Sequence, residues 1–297
     1  MTVADATSAL GALGREAGKS VSLAGSMSGS AVYRVDLEQG EAILKVTRLE
    51  NGVEHLAGAR RELDFYLTLA HRVPVRTARL LDHLSTDEAV ILLLGAHHPA
   101  EPAASWDDAG WLEVARDLAA LHDWPPPADP TWQHGSLIID ALGEPDLDMA
   151  MAFWSQPGEA QLLKPMFDHP EALAQAITAP TECFLHGDCH AGNLLRHHGT
   201  IVWVDWQAAG VGSPASDLAF PSVRAVPDGA LLPHDAMLDK YAVLRGLDPK
   251  EVGAAVLAAE LSIFVLSWPR YAGFNTVVGI QRVHARVTDL ARAWNAL

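Results

Sequence analysis

The chain of 297 residues carries 37 acidic and 21 basic side chains, a formal net charge of −16, and 49% of its residues are hydrophobic. This length and apolar content suffice for one folding unit or two closely associated lobes with a buried core. The acidic excess argues against nucleic acid or an anionic membrane surface as a partner, and it favours neutral or cationic partners.

The first third of the chain has the pattern of an antiparallel meander with one helix. Short apolar segments, the first two of them partly alternating, predict five strands at 21–23, 31–37, 42–46, 78–84 and 89–94. A Gly/Ser-rich turn at 25–30 separates the first two strands, and Gln39-Gly40 turns the chain into the third. Helical spacing of apolar residues predicts a helix over 53–70, which Pro74 follows as a stop.

Beyond residue 105 the pattern becomes mainly helical. Apolar spacing predicts helices over 111–122, 235–246, 249–267 and 275–295. Two short β-like runs, at 184–185 and 201–204, enclose a polar loop. The stretch 128–179 is mixed and gives no clear periodicity.

These elements predict the α+β class, with a small antiparallel β-sheet lobe followed by a larger, mainly helical lobe. The connection is predicted in the proline-containing stretch 97–105. We therefore expect an N-terminal lobe of residues 1–96 and a C-terminal lobe of residues 97–297.

The sequence also bears on the compartment. Cys183 and Cys189 form neither a CxxC pair nor a disulfide framework, which fits a reducing environment. The first nine residues have no basic segment and no apolar segment of a signal peptide. The longest apolar stretch, 254–268, contains Glu260 and at about fifteen residues is too short to span a bilayer. We expect a cytoplasmic protein.

The strongest chemical signal is the sequence HGDCHAGN at 186–193, followed by an aspartate after a short hairpin. It supplies Asp188, Asn193 five residues later, and Asp205 at the end of the β-like run 201–204. Phosphoryl transfer needs one carboxylate to orient the attacking hydroxyl, and an amide oxygen and a second carboxylate to hold Mg²⁺. The alternative is that Asp188 and Asn193 only cap turns.

A second signal is Lys45, which lies between apolar neighbours on the third predicted strand. In a kinase such an ammonium meets the α- and β-phosphates and is held by a glutamate of the following helix. Glu62 is the predicted partner, with Glu54 on the same helix as the alternative. Taken alone, such a lysine is more often part of a solvated strand face.

The third signal is the Gly/Ser-rich turn at 25–30. Glycines between two strands let backbone N–H groups approach phosphate oxygens, so Ser26, Ser28 and Gly29 are candidate nucleotide contacts. A flexible hairpin turn is the alternative. The turn is not a Walker A loop, because no G-K-[ST] sequence follows it.

In this order, the Gly/Ser turn, the strand lysine, the helix glutamate, the HGDxxxxN sequence and the later V-D-W sequence resemble the aminoglycoside phosphotransferase family and its relatives. The resemblance covers nearly the whole chain and is sharpest over 184–220, and residues 118–122 look like the helix before the family's catalytic loop. It implies a protein-kinase-like bilobal fold and an O-phosphotransferase that uses ATP or GTP with Mg²⁺.

The resemblance also implies roles for single residues. Asp188 would be the catalytic base, and Asn193 and Asp205 would be the Mg²⁺ ligands. Asp217 would be a buried carboxylate that braces the catalytic loop, and His186 would be a structural member of that loop. The backbone at 92–96, with Leu94 and Ala96, would be the hinge that contacts the nucleobase.

The chain departs from relatives in three features: the two residues after Asp205, and a Gly/Ser loop that is loose by protein-kinase standards. Asp205 is followed by Trp206-Gln207, whereas regulated protein kinases have Phe-Gly there. Relatives commonly have a glutamate where Gln207 stands, so a substrate or loop contact is expected to differ. The metal ligands are unaffected.

The resemblance leaves the acceptor open. An aminoglycoside or amino sugar is the first expectation, with a role in antibiotic resistance, because an acidic surface suits a cationic acceptor. The alternatives are another metabolite or a non-aminoglycoside antibiotic as acceptor, nucleotidyl transfer in place of phosphoryl transfer, or a catalytically silent nucleotide-binding protein. Trp132, Trp154 and Trp268 fall where relatives place the acceptor pocket, although plain packing is favoured for each. The protein is expected to be a monomer or homodimer.

Overall fold

The computed structural model describes residues 3–16, 18–23, 29–133, 138, 142–197 and 200–297. The chain divides into two compact units. The first comprises Met1–Pro99 and Leu195–Ala209, and the second comprises Ala100–Leu194 and Gly210–Leu297. The first unit therefore extends just past residue 96 and also includes a segment from much later in the sequence.

A five-stranded antiparallel sheet forms the first unit, with the strand order β1-β2-β3-β5-β4. Its strands are β1 (Ser20–Leu23), β2 (Ala31–Leu37), β3 (Gly40–Arg48), β4 (Leu80–Ser85) and β5 (Ala89–Gly95). All five predicted strands are present. Strand β3 is central and buried along most of its length, so the lysine that it carries lies inside the unit.

Two helices pack in the first unit. Helix α2 (Val53–Thr68) matches the predicted helix, and its buried residues recur at helical spacing. Helix α1 (Val3–Ala12) was not predicted. Its residues Ala6, Ala9 and Leu10 join the sheet core beside Tyr33 and Leu44, at the i, i+3, i+4 spacing of an apolar helix face.

The second unit is mainly helical. Its helices are α3 (Asp108–Asp123), α4 (Leu147–Phe153), α5 (Pro157–Asp168), α6 (Pro170–Thr178), α7 (Pro214–Ala225), α8 (His234–Arg245), α9 (Pro249–Leu261) and α10 (Val277–Trp294). With the five-stranded antiparallel sheet of the first unit, these helices confirm the predicted α+β class. Helices α4, α5 and α6 occupy the stretch in which the sequence shows no clear pattern.

Two short strand pairs carry the polar sequence motifs. In the second unit β6 (Cys183–Leu185) pairs with β9 (Gly210–Gly212), and the HGD sequence begins directly after β6. Strands β7 (Leu194–His197) and β8 (Thr200–Trp203) form the other pair. In the first unit Thr77 bridges Trp203, whose N–H donates to the carbonyl of Arg76 at 2.8 Å.

The apolar segment after α9 departs from the predicted single helix over 249–267. The α-helix ends at Leu261 and continues as a π-helical turn, Ser262–Ser267, and a 3₁₀ segment, Trp268–Phe274. Among the described residues, one segment, Pro249–Phe274, is long enough and apolar enough to cross a membrane. However, 72% of its most apolar part is buried within the protein. Such burial is typical of a core helix.

Candidate active site

Lys45 lies on β3, opposite Val32 on one neighbouring strand and Leu92 on the other. Its side chain is 7% exposed, which rules out a solvated strand face. The ammonium Nζ donates to Glu62 Oε2 at 2.7 Å and to Asp205 Oδ1 at 2.8 Å. The partner on α2 is therefore Glu62, whereas Glu54 is exposed. One cation and two carboxylates thus meet within the first unit.

The charges of this cluster depend on each other. Burial alone would lower the pKa of Lys45, but Asp205 and Glu62 more than offset it and raise that pKa above its usual value. Burial raises the pKa of Glu62 to about 7, while Lys45 acts in the opposite direction. Lys45 therefore stays a cation at any physiological pH.

Helix α2 holds the turn that presents Asp205. Asp205 has φ 65° and ψ 65°, and it is the only non-glycine residue with positive φ in the part of the chain that the structure describes. The ring of the next residue, Trp206, stacks on Phe65. Arg61 Nη1 donates to the carbonyl of Gln207 at 2.6 Å. These contacts join α2, which carries Glu62, to the turn that carries Asp205, within the first unit.

The Gly/Ser turn is described only at its end. Ser26 and Ser28, two predicted nucleotide contacts, lie outside the described residues. Gly29 has φ 68°, and its carbonyl accepts a hydrogen bond from Asn51 Nδ2 at 2.6 Å. A Cβ at this position would lie 2.6 Å from the ring of His55, so glycine is required there.

The predicted hinge lies at the end of β5. Leu94 is buried in the sheet, opposite Ile43 on β3 and Leu80 on β4. Ala96 is half-buried and directly follows the strand. Both positions belong to the first unit. Their contact with a nucleobase stays a prediction.

In the second unit, Asp188 and Asn193 contact each other. Asn193 Nδ2 donates to the backbone carbonyl of Asp188 at 2.9 Å and to its Oδ2 at 3.0 Å. Gly187 has φ 82°, so the loop turns sharply just before Asp188. The Asp188 side chain is 36% exposed, which leaves the carboxylate reachable for a substrate.

The donor chemistry of Asn193 and Asp205 fits Mg²⁺, a hard cation that prefers oxygen ligands. The amide nitrogen of Asn193 is used on Asp188, so its carbonyl oxygen points to the other side of the amide group. Asp205 offers a carboxylate that is 28% exposed at the side chain. Among the described residues, no group of three or more His, Cys, Asp or Glu side chains is arranged to hold a metal ion.

Asp217 on α7 braces the loop that carries Asp188. Its Oδ2 accepts the backbone N–H of His186 at 2.7 Å, and its Oδ1 accepts the N–H of Gly187 at 2.8 Å. Burial would raise the pKa of Asp217, but hydrogen bonds from His122 and from the backbone N–H of His186 offset this and hold the pKa below its usual value. The carboxylate is therefore ionised where it meets the loop.

Two residues of this brace have no role assigned from the sequence. His122 Nε2 lies 3.3 Å from Asp217 Oδ2, and His122 Nδ1 lies 2.9 Å from the hydroxyl of Tyr241. His122 ends the 118–122 stretch that resembles family members, which is the signal that could have found it. Tyr241 lies on a separate helix and its sequence surroundings give no such signal.

The three tryptophans considered for an acceptor pocket are all buried. Trp132 packs edge-on against Phe184, and Trp154 Nε1 donates to the carbonyl of Val265 at 3.1 Å. Trp268 packs against Phe153. These contacts agree with packing, the alternative favoured for each tryptophan.

Comparison with solved structures defines the fold of the chain. The chain is similar to the microcompartment-associated aminopropanol kinase, with a TM-score of 0.73, 18% identity, and coverage of 99% of this chain and 98% of that one. It is similar to a spectinomycin phosphotransferase in complex with ADP and spectinomycin, at a TM-score of 0.62 and 14% identity over 100% and 99% of the two chains. It is also similar to the apoenzyme of a macrolide 2′-phosphotransferase from Brachybacterium faecium. The TM-score is 0.61 and the identity 15%, with coverage of 96% of this chain and 98% of that one. The fold is that of small-molecule kinases, as predicted.

The family is shown by a separate comparison. The profile of the APH phosphotransferase enzyme family matches residues 21–248, and the chain therefore belongs to this family. No curated protein sequence matches the chain. Family and fold together define an enzyme, a small-molecule phosphotransferase that acts on a hydroxyl, and this confirms the predicted enzyme class.

Proposed function

We propose that the protein transfers the γ-phosphoryl group of ATP or GTP to a hydroxyl of a small cationic molecule. The first candidate for this acceptor is an aminoglycoside or amino sugar. The observation that carries the proposal is that Lys45 and Asp188 are each held in position by hydrogen bonds to neighbouring side chains. Lys45 is held by Glu62 and Asp205 within the first unit. Asp188 is held by Asn193 on a braced loop of the second unit.

On the donor side, Lys45 is the residue proposed to contact the nucleotide phosphates. Its raised pKa keeps the ammonium charged, and Glu62 fixes its position, so the cation needs no rearrangement when phosphate arrives. Gly29 and the backbone of the Gly/Ser turn are proposed to cover the phosphates, and Leu94 and Ala96 to lie beside the nucleobase.

Asn193 and Asp205 are the proposed ligands of Mg²⁺. When bound, the ion neutralises charge on the phosphates during transfer. Each residue contributes an oxygen, and each is already oriented by a neighbour, Asp188 for the amide and Lys45 for the carboxylate. The proposal follows from the family pattern and from the chemistry of these two groups.

On the acceptor side, Asp188 is the proposed catalytic base. One carboxylate oxygen, Oδ2, accepts from Asn193, which limits the rotation of the side chain. The carboxylate would accept the hydrogen of the attacking hydroxyl and thereby point that oxygen at the phosphorus. Positioning of this kind is the main contribution that a protein makes to phosphoryl transfer.

The acceptor class is supported more weakly than the reaction. Solved relatives with this fold are named for aminopropanol, spectinomycin and a macrolide, acceptors that differ widely in structure. The net charge of −16 favours a cationic acceptor over an anionic one. Resistance to an antibiotic is the proposed role, the cytoplasm the proposed compartment, and a monomer or homodimer the proposed state.

The test incubates the purified protein with Mg²⁺, ATP or GTP, and a panel of aminoglycosides, amino sugars, amino alcohols and other antibiotics. Products are identified by mass spectrometry. Asp188→Asn is the inactive variant, and Asp235→Asn is its matched control, because Asp235 is an exposed aspartate of the same unit. We expect one acceptor to gain a single phosphate with the wild type and Asp235→Asn but not with Asp188→Asn.

Other results would change the conclusion. An acceptor that gains a whole nucleotide would keep the fold and overturn the reaction. Full turnover by Asp188→Asn would overturn the proposed base. Nucleotide binding without any Asp188-dependent hydrolysis or transfer would favour the silent nucleotide-binding alternative.

A further inference from the structure

A continuous run of hydrogen bonds extends from helix α8 to the loop before Asp188. The hydroxyl of Tyr241 lies 2.9 Å from His122 Nδ1, and His122 Nε2 lies 3.3 Å from Asp217 Oδ2. Asp217 in turn accepts the backbone N–H groups of His186 and Gly187 at 2.7 and 2.8 Å. All of these groups belong to the second unit.

The three side chains of this run are buried. Their residues are 0% exposed for Tyr241, 3% for His122 and 1% for Asp217. Water therefore cannot replace a partner that is removed, and the position of each group depends on its hydrogen-bonded neighbours. Loss of one member leaves the next with an unsatisfied polar atom.

The direction of each hydrogen bond follows from the chemistry of the acceptor. An ionised carboxylate only accepts, so the hydrogen between His122 and Asp217 is carried by Nε2. A neutral imidazole then has its lone pair on Nδ1, and the O–H of Tyr241 donates to it. The order of donation is from Tyr241 to His122 and from His122 to Asp217.

The far end of the run fixes backbone geometry at the loop. The two N–H groups that Asp217 receives belong to the residues immediately before Asp188, and Asp188 N–H donates to His186 Nδ1 at 3.3 Å. Gly187 has φ 82°, a conformation open to few residues. A shift of Asp217 would therefore move the backbone from which the Asp188 side chain projects.

We propose that His122 and Tyr241 are positioning residues for phosphoryl transfer, which act on Asp188 through Asp217. The proposal rests on the proposed function, because it takes Asp188 as the catalytic base. Neither residue touches the substrate. Their effect is to hold Asp217 at the one place where it can accept both loop N–H groups.

The test compares kinetics of three variants. His122→Leu removes both hydrogen bonds, and we expect kcat to fall about 100-fold, as for a misplaced catalytic group. Tyr241→Phe removes only the outer bond, with an expected loss of about threefold to tenfold. His122→Gln keeps an N–H near the position of Nε2, and we expect it to restore kcat to within about tenfold of the wild type. The KM for the nucleotide is expected to stay unchanged in all three.

A matched control separates positioning from loss of stability. His284 also pairs with a half-buried carboxylate in the second unit, since its Nδ1 lies 2.6 Å from Glu159 Oε1. His284→Gln should lower the thermal unfolding temperature without lowering kcat. A loss of kcat in His284→Gln equal to that in His122→Leu would overturn the proposal.

A second measurement does not depend on activity. Nitrogen-15 NMR of the histidine side chains, with the His122 signals assigned by their loss in His122→Gln, reports which ring nitrogen carries hydrogen. We expect Nε2–H with a hydrogen-bonded lone pair on Nδ1, and weakening of that hydrogen bond in Tyr241→Phe. A neutral His122 with hydrogen on Nδ1 would overturn the proposed order of hydrogen bonds from Tyr241 to His122 to Asp217.

Asp188→Asn, assayed in parallel, separates failure of the positioning proposal from failure of the proposed catalytic base. If Asp188→Asn is inactive while His122→Leu and Tyr241→Phe turn over at the wild-type rate, the positioning role of His122 and Tyr241 is wrong and the proposed base stands. If Asp188→Asn keeps the wild-type kcat, the proposed base is wrong, and the positioning proposal is wrong with it.

Discussion

The indole of Trp206 stacks on the phenyl ring of Phe65, with ring centroids 3.9 Å apart and planes inclined by 10°. Both side chains are fully buried. Trp206 directly follows Asp205, and Phe65 follows Glu62 by one turn of α2. The stack therefore joins the two elements whose carboxylates bind Lys45.

Removal of the indole should loosen this junction. We expect Trp206→Ala to lower the free energy of unfolding by about 3–5 kcal/mol, because a large buried ring leaves a cavity. Trp206→Phe keeps an aromatic face toward Phe65 and should recover part of this loss. Urea unfolding of the purified variants measures both. An alanine variant as stable as the wild type would show that the stack contributes nothing to the fold.

Glu62 and Glu54 provide a test within one helix. Glu62→Gln removes one of the two carboxylates that hold Lys45, so we expect the KM for the nucleotide to rise about tenfold, as for loss of a charged hydrogen bond. Glu54→Gln changes an exposed glutamate of the same helix and should leave KM unchanged. Steady-state kinetics at varied nucleotide concentration measures both. Equal effects in the two variants would argue against a special role for Glu62.

Asp217 should make stability depend on pH in the acid range. Its pKa is lowered in the folded protein, so the unfolded chain binds the proton more readily. Its contribution is therefore fully present above about pH 4, the ordinary range for aspartate, and is lost as the pH falls through the lower folded pKa. We expect Asp217→Asn to be less stable at neutral pH and to lose less stability on acidification.

The measurement for Asp217 is urea unfolding at intervals between about pH 6 and 3, the range around the ordinary aspartate pKa. Asp235→Asn, at an exposed position, serves as the control and should follow the wild-type dependence. Parallel pH dependences for the wild type and Asp217→Asn would contradict a lowered pKa in the folded state.

The two thiols should be unreactive in the folded protein. Cys183 and Cys189 are free and buried, and burial raises the pKa of both thiols. We expect Ellman's reagent at pH 8 to modify them only on unfolding, and the kinase activity to survive exposure to the reagent. Rapid inactivation, given that Cys189 adjoins Asp188, would mean that the loop carrying Asp188 opens readily.

Local pattern was enough to predict the elements that have one clear apolar face. The five strands of the sheet are short apolar or partly alternating runs between glycine or polar turns, and α2 has regular helical spacing. The HGDxxxxN sequence predicted a loop at 186–193, and the structure brings its Asp188 and Asn193 into contact, while their roles in phosphoryl transfer stay predictions. Helix α1 was not predicted, although Ala6, Ala9 and Leu10 have helical spacing, because two of these three residues are alanines and give only a weak apolar pattern.

The remainder depended on information that is not local. Helices α5 and α6 both begin at a proline, and Pro165 lies inside α5, so their pattern is interrupted. The single helix predicted over 249–267 was wrong at its end, where the backbone widens into a π-helical turn. The contact of Tyr241 with His122 joins residues 119 apart, a separation over which sequence spacing predicts no partner.

The first unit is discontinuous in the sequence, because residues 195–209 belong to it together with Met1–Pro99. A gene fragment that stops at Pro99 would encode the sheet and α2 but would lack Asp205, leaving Lys45 with one carboxylate instead of two. It would also lack Trp206 and expose the ring of Phe65. Truncation therefore cannot yield this unit intact, whereas a chimera that appends residues 195–209 after Pro99, or co-expression of the two pieces, would restore its full set of side chains.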